Sequence, residues 1–239
     1  MTILVAGASG ATGKLLVEQL LNRGERVKII VRSTQNLPGE VLDHENLSVI
    51  HGSILALSDA ELIHHVSDCD ALVSCLGHNL TFKGVFGNPR RLVTESARRL
   101  CNAVKTLKPE IPVKFILMNS TGCMNPDNNE NVSLAQMCVL WLLRTLLPPH
   151  TDNEQAVAFL RSKIGQSDRA ITWAAVRPDG LIDENDVTDY SLHSAPTRSA
   201  IFNAGSTSRI NVAHFMSELI INQETWEQWK GKTPVIYNV

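Results

Sequence analysis

Met1-Thr2-Ile3-Leu4-Val5-Ala6-Gly7-Ala8-Ser9-Gly10-Ala11-Thr12-Gly13 stands at the start of the chain. A short apolar run leads into three glycines spaced G-x-x-G-x-x-G, a pattern typical of a buried strand that opens into a phosphate-binding turn. A pyrophosphate can approach the backbone closely only where no Cβ intervenes, and the helix that follows supplies unpaired N–H groups to hold it. Gly7 is expected to make the turn, Gly10 to permit the approach and Gly13 to let the helix pack on the strand.

The residues after the glycines support this interpretation. Residues 14–21 place leucines and a valine at helical spacing, and Asn22-Arg23-Gly24 ends the helix. A second apolar run, residues 27–31, completes a β-α-β unit. We therefore expect a dinucleotide cofactor here rather than an ordinary glycine-rich surface turn. The residues of the turn that should contact it are Gly7, Ser9, Gly10, Ala11, Thr12 and Gly13.

The end of the second strand indicates which dinucleotide is preferred. An acidic residue there would bind the ribose 2′-hydroxyl of NAD, whereas a basic residue accommodates the 2′-phosphate of NADP. This strand ends in Val31-Arg32-Ser33-Thr34. Because a guanidinium can pair bidentately with a phosphate, NADP is favoured over NAD, with Arg32 and Ser33 as cofactor contacts. The alternative is that Arg32 is a solvated charge at a strand end.

The overall composition argues against several classes of function. The chain has 239 residues, enough for one α/β domain with a good core, and a formal net charge of −2 at pH 7. Because the basic residues do not cluster on one face, we expect no nucleic-acid partner. Five cysteines without a C-x-x-C pair suit reduced thiols better than disulfides or a zinc site, and we expect no metal. No signal peptide is visible, so a cytoplasmic protein is expected.

Strands and helices alternate along the rest of the chain. Apolar runs at 47–51, 71–75, 113–118 and 171–176 predict strands, and the segments 58–66, 88–107, 133–147 and 153–164 predict helices. This alternation predicts a parallel sheet with helices on both faces, in one domain over residues 1–239. Right-handed crossovers bring the carboxyl ends of the strands to one edge, where we expect a crevice. It should be formed by Gly7, Arg32, Gly52-Ser53, Cys75-Leu76-Gly77, Asn119-Ser120-Thr121 and Arg177-Pro178-Asp179.

Four segments together resemble a known family. They are the glycine turn at 7–13, Val31-Arg32, Ser120-Thr121 and Val176-Arg177-Pro178-Asp179-Gly180. Over nearly its whole length the chain resembles the atypical short-chain dehydrogenase/reductases, in the NmrA-like and biliverdin-reductase-B-like branch. The resemblance implies a Rossmann-type doubly wound parallel sheet and an NADP(H) cofactor. It also implies a substrate pocket built by the C-terminal third of the chain, about residues 148–239.

One departure from the family pattern concerns catalysis. Most members use a Tyr-x-x-x-Lys pair, whose lysine lowers the pKa of the tyrosine so that the phenol exchanges a proton with a carbonyl substrate. The chain has two tyrosines, Tyr190 and Tyr237, and neither is followed four residues later by a lysine. Alignment of the family pattern on Leu160-Arg161 places Asn153 where the lysine, or a histidine in biliverdin-reductase-like members, is expected. Pro149 then falls at the tyrosine position.

The polar run Pro148-Pro149-His150-Thr151-Asp152-Asn153-Glu154 is the strongest candidate for a site outside the glycine turn. His150, Asn153 or Glu154, together with Ser120, would orient a substrate or donate a proton to it while hydride comes from the nicotinamide. The alternative is that this run only begins a helix, with an N-cap at 151 or 152 and Glu154 in the first turn.

Other single residues are candidates for a contact with the substrate or the cofactor, or for a helix cap. Ser120 follows the fifth strand, where the resemblance implies a serine that orients the substrate; the alternative is a bond to local backbone. Ser53 stands where family members usually carry an aspartate that contacts adenine. His78, which follows Gly77, would face the nicotinamide edge or lie in an ordinary loop. The resemblance also implies that Asn211 caps the last helix.

Two apolar features are expected to serve packing. Residues 137–147 form a very apolar run that includes an arginine and is too short to span a bilayer, so no membrane partner is expected. A buried helix is predicted, with a homodimer interface or an apolar lid over the substrate as alternatives. Trp226 and Trp229, three apart on a predicted helix, are expected to be packing anchors.

Together these features favour an NADP(H)-dependent oxidoreductase that transfers hydride to a small apolar or aromatic acceptor, such as a flavin, a quinone or a carbonyl compound. A flavin or quinone needs little acid catalysis, which would explain the missing tyrosine. The main alternative is a non-catalytic NADP(H)-sensing binding protein of NmrA-like type. An epimerase or dehydratase with tightly held NAD is disfavoured by Arg32 and by the missing tyrosine.

Overall fold

The computed structural model describes residues 1–78, 87–128, 130 and 133–239. Strands and helices alternate through most of this part of the chain, as the sequence predicts. The strands are β1 (Thr2–Ala6), β2 (Arg26–Val31), β3 (Leu47–His51), β4 (Ala71–Ser74), β5 (Val113–Met118), β6 (Ile171–Pro178), β7 (Gly180–Ile182), β8 (Tyr190–His193), β9 (Ser206–Ser208) and β10 (Val235–Asn238). The helices are α1 (Ala11–Asn22), α2 (Gly39–Leu42), α3 (Asp59–Val66), α4 (Leu92–Leu107), α5 (Leu134–Leu146), α6 (Pro148–Phe159), α7 (Arg209–Ile221) and α8 (Gln223–Trp229).

One large sheet has the strand order β3-β2-β1-β4-β5-β6-β10-β8. The first seven strands in this order are parallel to one another, and β8 pairs antiparallel with β10 at the edge. The order reverses between β1 and β4, where the chain returns to the middle of the sheet, and ligands of open α/β sheets bind at such a point. Strands β7 and β9 form a separate parallel pair. The predicted doubly wound α/β fold is confirmed.

Helices cover both faces of the sheet. Successive residues of a strand point to opposite faces, so Ile3 packs with α1, α7 and α8, whereas Leu4 packs with α3, α4 and α6. This explains why β1 is a continuous apolar run rather than an alternating one. Trp226 and Trp229 are 3% and 5% exposed and lie in the same apolar cluster as Ile3. This confirms their prediction as packing anchors.

The start of α6 differs from the prediction. A helix was expected over 153–164 with its N-cap at Thr151 or Asp152, but α6 begins at Pro148 and continues into a π-helical turn, Leu160–Ile164. Proline lacks an N–H that the first turn would leave unpaired anyway, so prolines suit this position. The candidate run 148–154 is therefore the first two turns of a helix.

The start of α7 also differs. Ser208 is its N-cap, and the Ser208 hydroxyl accepts a hydrogen bond from the Asn211 backbone N–H at 3.3 Å. Asn211 does not cap the helix but is buried, and its side-chain amide bonds to the Asn238 side chain at 2.9 Å. Helix α7 is also not the last, because α8 follows it.

Helix α5 lies within the helix predicted over 133–147, but its apolar run at 137–147 is not the buried helix that was expected. Leu134, Trp141 and Leu146 are 81%, 64% and 56% exposed, whereas Leu140 is 1% exposed. The exposure of α5 agrees with the two alternatives to a buried helix, a homodimer interface or an apolar lid over the substrate. Within the described residues, none of the helices combines the length and the apolar character that crossing a bilayer requires.

Candidate functional site

The glycine turn between β1 and α1 has the geometry that its spacing predicts. Gly7 has a φ of +81°, and a Cβ there would lie 2.7 Å from the backbone carbonyl carbon of Cys75. A Cβ at Gly13 would lie 2.1 Å from the Gly7 carbonyl oxygen, so glycine alone allows α1 to approach the turn this closely. A Cβ at Gly10 would lie 3.2 Å from the same oxygen, which is closer than most Cβ atoms approach a neighbouring atom. The turn is thus a cradle that Cβ atoms would fill.

The N-terminus of α1 is suited to bind an anion. Gly10 occupies the N-cap position without a side-chain cap, and the first turn contains no acidic residue. The helix therefore keeps unpaired N–H groups and a partial positive charge for a phosphate. Ser9, Gly10 and Ala11 retain exposed surface, whereas Thr12 and Gly13 are buried and support the turn from beneath. The cradle and this helix end together fit the pyrophosphate of a dinucleotide.

A crevice lies beside the turn at the carboxyl ends of β1 to β4. It brings together residues that follow four strands and the start of α4, as expected at the point where the strand order reverses. Apolar side chains such as Ile54 and Leu92 form part of its wall. The predicted cofactor residues in its lining are Gly7, Ser9, Arg32, Gly52, Ser53 and Leu76.

Arg32 lines this crevice with an exposed side chain. Among the residues that the structure describes, none forms an ion pair with it. Ser33 is exposed beside it, and its hydroxyl accepts a hydrogen bond from the Gln35 N–H at 3.3 Å. The mouth of the crevice therefore offers a guanidinium whose charge no carboxylate of the described part of the chain neutralises.

The segment after β4 contributes backbone rather than reactive side chains. Burial raises the pKa of the Cys75 thiol to about 12, so the thiol stays protonated at neutral pH. Its carbonyl group lies against Gly7, which fixes the spacing between β4 and the turn. Gly77 is exposed, and a Cβ there would meet no described atom within 4 Å.

Ser120 and His150 lie near each other at a second position, after β5. A Cβ added at Gly122 would be 3.5 Å from Ser120 Oγ and 3.6 Å from His150 Cε1. Ser120 Oγ accepts a hydrogen bond from the Gly122 N–H at 3.2 Å, as the local-backbone alternative expects. His150 Nε2 is buried and forms no hydrogen bond with the residues that the structure describes. The structure thus brings together two of the predicted catalytic side chains, one from β5 and one from α6.

Glu154 is held by Arg144 of α5. The guanidinium donates to both carboxylate oxygens, with Nε 3.0 Å from Oε1 and 2.8 Å from Oε2. Burial raises the pKa of Glu154, but His150 and Arg144 outweigh burial and lower the pKa to about 2. We attribute more of this lowering to Arg144, because His150 Nε2 lies 3.5 Å from Oε1, too far for a hydrogen bond. Glu154 is therefore ionised at neutral pH and is unsuited to donate a proton itself.

Asp152 has a role that the sequence did not reveal. Its carboxylate accepts hydrogen bonds from the Val93 N–H at 2.8 Å and the Thr94 N–H at 3.0 Å, so it caps α4 and not its own helix. His78 Nε2 lies 2.8 Å from the same carboxylate, which is almost fully buried. Sequence position alone contains no signal for this cap, because Asp152 and Val93 are 59 residues apart.

Asn153 contributes its backbone to the same region. Its carbonyl oxygen accepts a hydrogen bond from the Asn119 side-chain amide at 2.9 Å, which joins the end of β5 to α6. The Asn153 side chain is half-buried. The predicted catalytic role of that side chain stays a prediction.

Arg177 and Pro178 lie in the sheet and not at the crevice. The Arg177 side chain is fully buried: Nε donates to the Thr233 carbonyl at 2.9 Å, and Nη1 pairs with Glu130 at 2.6 Å. Pro178 is buried, and its carbonyl accepts from the Thr121 N–H at 3.1 Å. The hydrogen bonds of the Arg177 guanidinium stabilise the core, and the expected cofactor contact of Arg177 and Pro178 stays a prediction.

The fold and the glycine turn define an α/β protein of the dinucleotide-binding class. A family model described as NAD(P)H-binding matches residues 7–223. The chain belongs to this NAD(P)H-binding family, which agrees with its resemblance to the atypical short-chain dehydrogenase/reductases.

One curated protein is similar to this chain in sequence, and solved structures are similar to it in fold. An uncharacterised chloroplastic protein of Arabidopsis thaliana is 27% identical over 225 residues, which cover 93% of this chain and 73% of that protein. A wide-type short-chain dehydrogenase/reductase of Veillonella parvula, in complex with NADP, has a TM-score of 0.70 at 18% identity and covers 99% of this chain and 94% of its own. A protein of Streptococcus pneumoniae proposed to be an NADH-flavin reductase has a TM-score of 0.67 at 17% identity, with complete coverage of both chains.

Proposed function

We propose that this protein is an NADPH-dependent reductase that transfers hydride to a small flat acceptor, either a flavin, a quinone or an aromatic carbonyl compound. The observation that carries the proposal is the crevice, in which a glycine cradle at 7–13 and the exposed Arg32 lie beside each other. The cradle suits the pyrophosphate of the cofactor, and the guanidinium suits a 2′-phosphate. Gly52, Ser53 and Leu76 would complete the cofactor site.

The position after β5 would bind the acceptor. When bound, the reduced dinucleotide supplies a hydride, and the acceptor takes up one further proton. Ser120 and His150 would orient the acceptor and deliver that proton, and what supports this is that both side chains lie within 4 Å of a Cβ built at Gly122. Glu154 Oε1 lies 3.5 Å from Nε2 of the same ring and would help to hold the ring in place.

The proposal is tested by NADPH oxidation with a panel of free flavins, quinones and simple carbonyl compounds, with NADH as the comparison. We expect saturable turnover with one acceptor class and a preference for NADPH. A valine at Gly10 would enter the space that the phosphate needs, so Gly10→Val should abolish NADPH binding and turnover together. Turnover that survives in Gly10→Val would contradict the proposal.

The second candidate function is a redox-sensing binding protein of NmrA-like type. The observation that favours it is the exposed apolar surface of α5, which offers a place for a partner, together with the missing Tyr-x-x-x-Lys pair. Tight NADPH binding without turnover across the whole panel would favour this function. A partner whose binding changes with NADP(H) would then have to be found.

A further inference from the structure

A small space separates the Ser120 hydroxyl from the His150 ring, and Gly122 forms its floor. A Cβ at Gly122 would lie 3.5 Å from Ser120 Oγ, 3.6 Å from His150 Cε1 and 3.8 Å from His150 Nδ1. These are ordinary van der Waals distances, so a methyl group bonded to the Gly122 Cα fits between the two side chains without a clash. An alanine would fit at this position, and its methyl group would occupy the space.

The groups around the space are able to bind a polar atom. Ser120 Oγ accepts from the Gly122 N–H, and its own O–H donates to none of the described residues, so it is able to donate to a ligand. Of the two His150 ring nitrogens, Nδ1 is the one near Gly122, whereas Nε2 is buried and lies 3.5 Å from the Glu154 carboxylate. Nδ1 is therefore the ring nitrogen that faces the space, and it would hold the proton that passes to a bound acceptor.

Backbone geometry does not require a glycine at 122. Glycines with positive φ in the described residues are Gly7, Gly24, Gly165 and Gly231, and Gly122 is not among them. Its Cβ would not collide with backbone either, in contrast to a Cβ at Gly7 or Gly13. What the missing side chain does at this position is leave the space between Ser120 and His150 open.

We propose that Gly122 determines acceptor specificity, because it keeps open the position where the polar edge of a flat acceptor, a carbonyl oxygen or a ring nitrogen, contacts both Ser120 and His150. This inference rests on the proposed reductase function and names where the acceptor binds. A side chain at 122 would exclude the acceptor without touching the cofactor crevice, whose lining lies after β1 to β4.

The experiment is a size series at this position, Gly122→Ala and Gly122→Val. With the acceptor that the wild-type protein reduces, we expect kcat/KM to fall about tenfold for alanine and further for valine, as expected when a substrate is displaced from its productive position. The Kd for NADPH, measured by calorimetry, and the thermal midpoint of Gly122→Ala should stay at the wild-type values. The matched control is Gly39→Ala in α2, where a Cβ meets no described atom within 4 Å.

A second readout does not depend on turnover. Diethyl pyrocarbonate modifies accessible imidazole nitrogens, and peptide mass spectrometry separates His150 from the other seven of the 8 histidines. We expect His150 to react several-fold more slowly in Gly122→Ala than in the wild type, and at the wild-type rate in Gly39→Ala. Unchanged turnover in Gly122→Ala overturns the inference whatever this rate is. If the wild type reduces no acceptor, the proposed function fails, and an unchanged modification rate then also overturns the role of Gly122.

Discussion

Arg32 is the residue on which the cofactor preference depends. Its side chain is exposed in the crevice, and none of the described residues forms an ion pair with it, so its charge is available to a 2′-phosphate. We expect Arg32→Ala to raise the Kd for NADPH about 10- to 100-fold, the range of a hydrogen bond between charged groups, and to change the Kd for NADH less than about twofold. Fluorescence titration of both dinucleotides measures this.

The control for this experiment is Arg26→Ala. Arg26 is an exposed arginine at the opposite end of the same strand, β2, so it changes the net charge equally without touching the crevice. Neither dinucleotide should bind differently to it. Equal losses of NADPH and NADH affinity in Arg32→Ala would remove the basis for the NADP preference.

Single residues were predictable where local geometry determines their role. The spacing of Gly7, Gly10 and Gly13 specifies a turn within one short segment, and the structure has that turn. Arg177 was not predictable in this way. An arginine at a crevice and an arginine in the core have the same local sequence, and what decides is the Thr233 carbonyl, 56 residues away.

At the scale of elements, the start of α4 depends on a distant carboxylate. The sequence predicts a helix over 88–107, but α4 begins at Leu92, where Asp152 accepts hydrogen bonds from the second and third N–H groups of the helix. By contrast, α3 begins with a local capping box of Ser58 and Glu61, and its predicted start at 58 was correct to one residue. Local caps can be identified from sequence, whereas a cap donated by another helix cannot.

The Asp152 cap gives a prediction for stability. Asp152→Ala removes a buried acceptor from the Val93 and Thr94 N–H groups and from His78, so we expect a loss of about 2–3 kcal/mol in the free energy of unfolding. Ser58→Ala, which removes an exposed cap, should cost about 1 kcal/mol. Urea unfolding measures both losses.

Hydrogen exchange locates the effect of the substitution. In Asp152→Ala, the amides of the first turn of α4 should lose protection, because their acceptor has gone. In Ser58→Ala, the same amides should exchange as in the wild type, and the first turn of α3 should be affected instead. If the two variants are equally stable, Asp152 is not the group that holds the start of α4.

At the scale of the whole molecule, the architecture was predictable and the surface was not. Apolar strands that alternate with helices along the chain specify a parallel sheet covered on both faces, because each of these strands needs burial on both sides. The run at 137–147 has the same composition as a core helix, yet α5 lies on the surface. Composition records how apolar a helix is, but it does not record whether another element of the same chain is left to cover it. The grouping of Ser120 with His150 likewise depends on tertiary packing.

The exposed surface of α5 leads to the last prediction, which concerns assembly. Leu134, Trp141 and Leu146 are more than half exposed, and the charge of Arg144 is already neutralised by Glu154. Two copies of this surface would therefore meet without repulsion between like charges and would bury apolar area from both. We expect the protein to form a homodimer through α5.

Sedimentation velocity across a concentration series tests this with Trp141→Lys. A lysine in the middle of the interface would have to be desolvated opposite its own copy, so we expect the dimer dissociation constant to rise at least about 100-fold. The control is Phe202→Lys, which places the same charge at an apolar residue that is 60% exposed elsewhere on the surface and should leave the dimer intact. A wild-type monomer at every concentration would show that α5 does not join two copies. A dimer that persists in Trp141→Lys would show that the copies meet at another surface, and an apolar lid or the surface for another partner would then be the remaining interpretations of α5.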